Sequence, residues 1–146
     1  MSSWSEFESL APALAADVRA RFTARKHATM ATLRADGSPR ISGTEVAFTG
    51  GQLVLGSMPG AVKARDLQRD PRVAVHSPTV DPPETEPTAW EGEAKVSGRA
   101  VEVRSTRTSH TFHVDLTEVV HTRVVGDLLE IVSWHPDRGV QRRTRR

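Results

Sequence analysis

The stretch Leu53-Val54-Leu55-Gly56-Ser57-Met58-Pro59-Gly60-Ala61-Val62-Lys63-Ala64-Arg65-Asp66-Leu67, running on to Asp70-Pro71-Arg72-Val73, decides how this chain is read. An apolar run ends in a small hydroxyl residue, a Ser-Met-Pro-Gly turn follows, and Pro59 to Leu67 has helical composition with a lysine in its first turn. Asp70-Pro71 stops the helix and Arg72 opens another apolar run. A strand that delivers the chain to a helix start in this way suits an anion. Unpaired amides and the positive end of the helix dipole converge there, Ser57 adds a hydroxyl and Lys63 a charge, and a phosphate is the natural guest. An ordinary capped helix with a solvated Lys63 has the same spacing, and caps are far commoner than ligand sites, so the spacing by itself leaves both readings open. Only three lysines occur in the whole chain, which makes one at this place informative.

On the amino-terminal side, Leu10, Leu14, Val18 and Phe22 recur at four-residue spacing with Ala11 and Ala15 beside them, predicting one helix from Leu10 to Arg25. Ser5 with Glu8 has capping-box spacing, and Ser9 is a second candidate cap that leaves Pro12 in the first turn. The period then changes. Ala28 to Leu33, Arg40 to Phe48 and Gln52 to Ser57, separated by Ala35-Asp36-Gly37-Ser38-Pro39 and by Gly50-Gly51, predict a three-stranded meander. Further strands are expected at Arg72 to His76, Ala94 to Val103, Phe112 to Val125 and Leu128 to Trp134. Alternation is clearest where Phe112, Val114 and Leu116 face one way and His113, Asp115 and Thr117 the other. The fold class is therefore mainly β with a few α elements: a barrel of six to seven mostly antiparallel strands, an N-terminal helix and a short inserted helix, closure being the way such a sheet removes its edges. Residues 77–91, with four prolines and four acidic residues, predict a long loop whose one large apolar group, Trp90, docks against the barrel or a second subunit.

The length of 146 residues fits one domain spanning 1–146. Without cysteine there are no disulfides, thiolate metal sites or cysteine nucleophiles. No stretch approaches the roughly 20 apolar residues of a membrane span, and the amino terminus lacks a secretory layout, so a cytoplasmic location is expected. Five arginines fall within 138–146, and without them the net charge of +2 becomes 2 − 5 = −3. The basic character thus belongs to the tail, and nucleic-acid binding by the fold as a whole is not expected. The tail itself reads as a frayed end, or as an anion or nucleic-acid contact.

The series Ala31-Thr32-Leu33, Asp36-Gly37-Ser38-Pro39-Arg40 and Leu53 through Val73 resembles the pyridoxamine 5'-phosphate oxidase-like split barrels, well over residues 27–76 and more loosely beyond. The resemblance implies a homodimer with FMN, or in a related branch the deazaflavin coenzyme F-420, in a groove between subunits. It further implies that Gly56 and Ser57 lie beside the ring, that Lys63 binds the phosphate, and that the strand containing Ser42, Gly43, Thr44, Glu45, Val46 and Ala47 passes under the ring system. The oxidase proper carries Arg at the position of Ser42, Lys at that of Ala47 and a second phosphate-binding Arg where Val62 stands, so three of its cations are absent. Arg40, Arg65 or the partner's tail are candidates to replace them. Trp134, followed by Arg138, Arg142 and Arg143, echoes the oxidase's carboxyl-terminal pattern at altered spacing, and serves either as a wall for the ring or as core.

Among the histidines only His110 and His113 lie close in sequence, and a strand turns them to opposite faces, so no metal site is expected. No nucleophile elbow, P-loop or dinucleotide fingerprint occurs, and no catalytic acid or base can be assigned. Two functions follow from the resemblance: a flavin- or deazaflavin-dependent oxidoreductase acting on a small organic substrate, or a non-catalytic protein that holds FMN, deazaflavin or haem.

Overall fold

Residues 2–146 are described by the computed structural model. Two helices come first, α1 (Trp4–Leu10) and α2 (Pro12–Thr23), followed by strands β1 (Ala28–Leu33), β2 (Pro39–Thr44), β3 (Val46–Thr49) and β4 (Gln52–Ser57). Helix α3 (Val62–Arg69) and strand β5 (Arg72–His76) follow, then β6 (Glu93–Ser105), β7 (His110–Val125), β8 (Leu128–His135) and β9 (Gly139–Arg145). All strand pairs are antiparallel.

The main sheet runs β2-β1-β5-β6-β7-β4-β3. Its terminal strands, β2 and β3, are consecutive in sequence and separated only by Glu45, so the chain leaves one end of the sheet and enters the other. The sheet therefore wraps around on itself, while no ladder joins β2 to β3. This is the split of a split barrel, and it corrects the meander expected for residues 28–57: Arg40 to Phe48 is two strands at opposite ends of the sheet order. Nine strands form among the described residues, seven expected runs becoming eight through this division, and β9 being added.

The core holds the inward positions of the long hairpin, Val96 and Ala100 from β6 and Phe112, Val114 and Leu116 from β7, with Leu53 and Leu55 of β4 and Met30 of β1. Helices α1 and α2 close one side of it. Trp4 meets Phe48 at 4.5 Å and Phe7 meets Trp134 at 4.9 Å between ring centroids. Trp4, Phe7 and Trp134 are fully buried, and aromatics of this size are among the largest single contributions to a small core.

The single amino-terminal helix expected from Leu10 is instead two. Ala11 has φ −140° and ψ 64°, outside the helical region, because the residue before a proline is pushed away from α. Ser3, not Ser5 or Ser9, caps α1, accepting from the Glu6 amide at 3.2 Å, and the Ser5 amide donates to the Gly51 carbonyl at 2.9 Å. Leu10, expected in the buried stripe, is exposed, while Leu14, Val18 and Phe22 are buried.

The arginine tail also departs from expectation. It is β9, paired residue for residue with β8 from His135↔Gly139 to Leu129↔Arg145, and not a frayed end. Arg142 and Arg123 hold the buried carboxylate of Glu130 at 3.0 and 2.9 Å. Loop 77–91 contains one 3-10 turn, Pro87–Ala89; at its end Trp90 is half-buried, and Glu91 pairs with Arg21 of α2 at 3.1 Å. Among the described residues no helix is long and apolar enough to cross a membrane.

Helix α3 is fixed to the barrel through one buried carboxylate. Asp66, only 2% exposed, accepts from Thr32 Oγ1 at 2.8 Å, Arg40 Nε at 2.7 Å and Arg69 Nη2 at 3.0 Å. Burial pushes its pKa up, but the bonds from Arg40, Thr32 and Arg69 outweigh burial and the net shift is downward. A depressed carboxylate pKa stabilises the fold above the unfolded-state value and loses that contribution as pH falls through the folded one. Asp66→Ala strands the buried Thr32 hydroxyl and is expected to cost about 2 kcal/mol, measured as a lower urea midpoint. The deficit should shrink as pH falls below about 4, where Asp66 of the unfolded chain takes up a proton while the folded carboxylate, its pKa depressed, still holds its charge.

Candidate functional site

A cleft of about 410 Å³ opens where β2, β4 and α3 come together. Gly43, Thr44 and Glu45 form one wall, Gly56, Ser57 and Met58 a second, and Lys63 closes one end, with His27 and Thr108 at the rim. A Cβ built on Gly43 or on Gly56 meets nothing within 4 Å. Both glycines therefore leave open space in which a flat ligand can approach bare backbone.

The helix start is less open than the sequence implies. Helix α3 begins at Val62 rather than Pro59, with Ala61 at its N-cap and no side chain capping it. The Ala61 amide bonds the Met58 carbonyl, and the Ala64 and Arg65 amides return to the Ala61 carbonyl. The Gly60 amide donates to His110 Nε2 at 3.2 Å. Val62 and Lys63 lie in the first turn, where amides have no intrahelical acceptor. The Ser57 hydroxyl donates to the Met58 carbonyl at 3.0 Å, leaving its oxygen lone pairs to accept.

Lys63 spans the cleft and donates from Nζ to the Gly43 carbonyl at 2.7 Å. Burial pulls its pKa down and Glu45 partly opposes this. Glu45 also faces Lys26 at 3.7 Å and His27 at 3.6 Å. The charges around the cleft are thus mixed. Of the cations that could replace those absent from the sequence, Arg40 is committed to Asp66. Arg65 forms no ion pair among the described residues, and its guanidinium lies 4.0 Å from where a Gly60 Cβ would be. Within one subunit the arginines of β9 lie away from the cleft, because they follow β8, which pairs with β7 from Val119 onward, whereas the cleft adjoins His110. That separation is roughly 30 Å along the strand.

Of the residues singled out from sequence, the cleft brings together Gly43, Thr44, Glu45, Gly56, Ser57 and Lys63. Ser42 is half-buried on β2 opposite Met30, Val46 packs against the core, and Val62 is exposed beside the cleft. Trp134, 2% exposed, belongs to the core against Phe7 and does not line the cleft. His27, Met58, Thr108 and the adjoining His110 escape a reading of the sequence. Only the β4–β7 register, Ser57↔His110, places the β6–β7 turn over the turn that precedes α3, and no local motif announces it. Among the described residues no group of three or more potential ligands could hold a metal.

The family model for pyridoxamine 5'-phosphate oxidase matches residues 14–142. No curated protein matches. Among solved structures, a heme binding protein from Mycobacterium smegmatis superposes with a TM-score of 0.68 at 19% identity, over 86% of this chain. This chain spans 59% of that protein's length. A pyridoxamine 5'-phosphate oxidase-related, FMN binding protein from Nostoc punctiforme gives 0.64 at 11% identity, covering 93% of this chain and 96% of the other. PhzG from Burkholderia lata, solved with tetrahydrophenazine-1-carboxylic acid, gives 0.64 at 12% identity over 95% and 89%. At such identities the likeness is one of fold.

Proposed function

The chain belongs to the pyridoxamine 5'-phosphate oxidase family, and from that premise we propose that it is an oxidoreductase that binds FMN or the deazaflavin coenzyme F-420 in the cleft between β2, β4 and α3. The observation that carries this reading is the position of Lys63. Its partly desolvated ammonium stands at the end of the cleft, beside the first-turn amides of α3, while Gly43 and Gly56 keep the adjoining walls bare. The residues present fit a phosphorylated, planar guest. Lys63 and the Val62 and Lys63 amides hold the phosphate, Ser57 accepts from the ring, and the backbone of Gly43 to Glu45 supports it.

When bound, the ring supplies the hydride chemistry. The chain's own contribution is to bind, orient and shield. Shielding is incomplete in one subunit, because the cleft is open to solvent and Ile41, Met58 and Val62 stand exposed around it, Ile41 and Met58 more than three-quarters so. A second copy of the chain covers this apolar rim and closes the cleft, so that a homodimer is the working unit and the chain acts as a single split-barrel domain. The small organic substrate then enters from the side left uncovered by the partner.

A second reading, holding of a flavin or haem without turnover, is favoured by Glu45. A carboxylate within the cleft opposes a polyanionic guest, and Lys63 is the one cation lining the cleft among the described residues. One preparation distinguishes the two. Under the first reading, the visible spectrum and mass of the copurified ligand identify FMN or deazaflavin, the protein sediments as a dimer, and the bound ring is reduced by a hydride donor and reoxidised by an organic acceptor. A flavin that is bound but inert to both reagents supports the second reading. A monomer with no affinity for any of these cofactors removes both.

A further inference from the structure

Resting on the reading of the cleft as a phosphate site, we propose that His110 is a positioning residue that sets phosphate affinity through its protonation. The imidazole is 12% exposed and tied at both nitrogens. Nε2 accepts from the Gly60 amide at 3.2 Å, which places the ring proton on Nδ1. Nδ1 faces Glu102 Oε2 at 3.0 Å and Ser105 Oγ at 3.2 Å. Glu102 also accepts from Gln68 Nε2 of α3 at 3.2 Å. The pair therefore links β6 and β7 both to the turn that precedes α3 and to the far end of α3.

In this neutral state His110 occupies an amide that could otherwise serve an anion. Adding a proton to Nε2 sets two N–H groups against each other and breaks the Gly60 contact. One anionic oxygen placed between them then accepts from both. Glu102 behind Nδ1 stabilises the imidazolium, so the charge arises on a group already oriented. Phosphate binding and proton uptake at His110 are consequently linked, each favouring the other.

The charged groups around the imidazole act in both directions. Glu102 of β6 favours protonation. The cations carried by the neighbouring elements, Lys63 and Arg65 of α3, Arg104 of β6 and Arg107 of the β6–β7 turn, oppose it. Across the cleft Glu45 and His27 form a pair of their own, and His113 lies on the other face of β7. Binding a phosphate offsets the repulsion from the cations, which makes the coupling specific to phosphorylated guests.

The test measures FMN and riboflavin affinities at pH 8.0 and pH 6.0 for the wild-type protein, His110→Gln and Glu102→Gln, with folding of each variant checked by its thermal midpoint. Glutamine retains an acceptor for the Gly60 amide but does not titrate. The FMN phosphate titrates near pH 6, so the quantity read is the ratio of wild-type to variant affinity, which cancels that contribution. The ratio for FMN is expected to rise about fivefold from pH 8.0 to pH 6.0 against His110→Gln, a coupling in the range of ordinary linkage. It should remain flat for riboflavin, which has no phosphate, and Glu102→Gln should reduce the rise while preserving the histidine. A flat FMN ratio, with FMN still bound through Lys63, overturns the role of His110 alone. Absence of binding at both pH values, by FMN and by coenzyme F-420 alike, overturns the cleft reading and this proposal together.

Discussion

Lys63→Ala is expected to weaken FMN binding between about 10-fold and about 150-fold, without lowering the stability of the unliganded protein. A hydrogen bond to a charged group contributes about 1.5–3 kcal/mol, and each 1.36 kcal/mol is a factor of ten. The fold should tolerate the change because the ammonium does not hold it together: its one bond is to the Gly43 carbonyl on the exposed face of β2, which water can satisfy. Burial already disfavours its charge. An anion restores what burial removes, so the whole effect should fall on binding. Two accompanying measurements separate this site from a merely solvated lysine. Wild-type affinity should fall with added salt more steeply than that of the variant. Since the folded pKa of Lys63 is lowered, wild-type affinity should also decline in alkaline solution before an ordinary lysine would deprotonate, and Lys63→Ala should lack that decline. Fluorescence titration of FMN reads all three, and equal affinities for the two proteins would remove Lys63 from the site.

The parts of the molecule legible in the sequence are those governed by nearest neighbours. The two-residue alternation of Phe112, Val114 and Leu116 is the buried face of β7, and Asp70-Pro71 stops α3 where a proline must. The split at Glu45 is different. Arg40, Ser42, Thr44, Val46 and Phe48 stay in one phase of burial, so the pattern continues smoothly through the residue where the chain passes from one end of the sheet to the other. β9 is hidden for the opposite reason. All but its first residue are exposed, so it carries no apolar alternation. Backbone pairing and the Glu130 carboxylate hold it, neither of which arginine-rich composition reveals. Within the cleft, Ser57 and Lys63 are close in sequence and legible, whereas His110 lies 50 residues from Gly60 and arrives through strand register.

The glycines divide into two kinds, and the division leads to the largest expected loss of stability. A Cβ on Gly98 would lie 2.1 Å from the Asp115 carbonyl oxygen and 3.0 Å from a Val114 methyl. The first neighbour is backbone of the paired strand, where the β6–β7 ladder shifts register between Ser97 and Gly98. It cannot rotate away as a side chain would, and the adjoining Leu116 is also tied to the amino terminus by the hydrogen bond its N–H donates to the Ser2 carbonyl at 2.8 Å. Relief therefore requires β6 and β7 to separate at the centre of the barrel. Gly98→Ala is expected to cost at least about 3 kcal/mol, the upper range of overpacking, and to lower the thermal midpoint by on the order of 10 °C. Gly56→Ala provides the contrast. Its Cβ enters open space in the cleft beside Ser57, so the midpoint of the unliganded protein should move by no more than a degree or two, while FMN affinity falls because the methyl occupies the ring's approach to the backbone. Paired thermal scans, with and without FMN, separate the two roles. Stabilisation by ligand should persist in whatever Gly98→Ala protein remains folded and should diminish in Gly56→Ala. A Gly56→Ala protein stabilised by FMN as strongly as the wild type would show that the ring does not lie against β4.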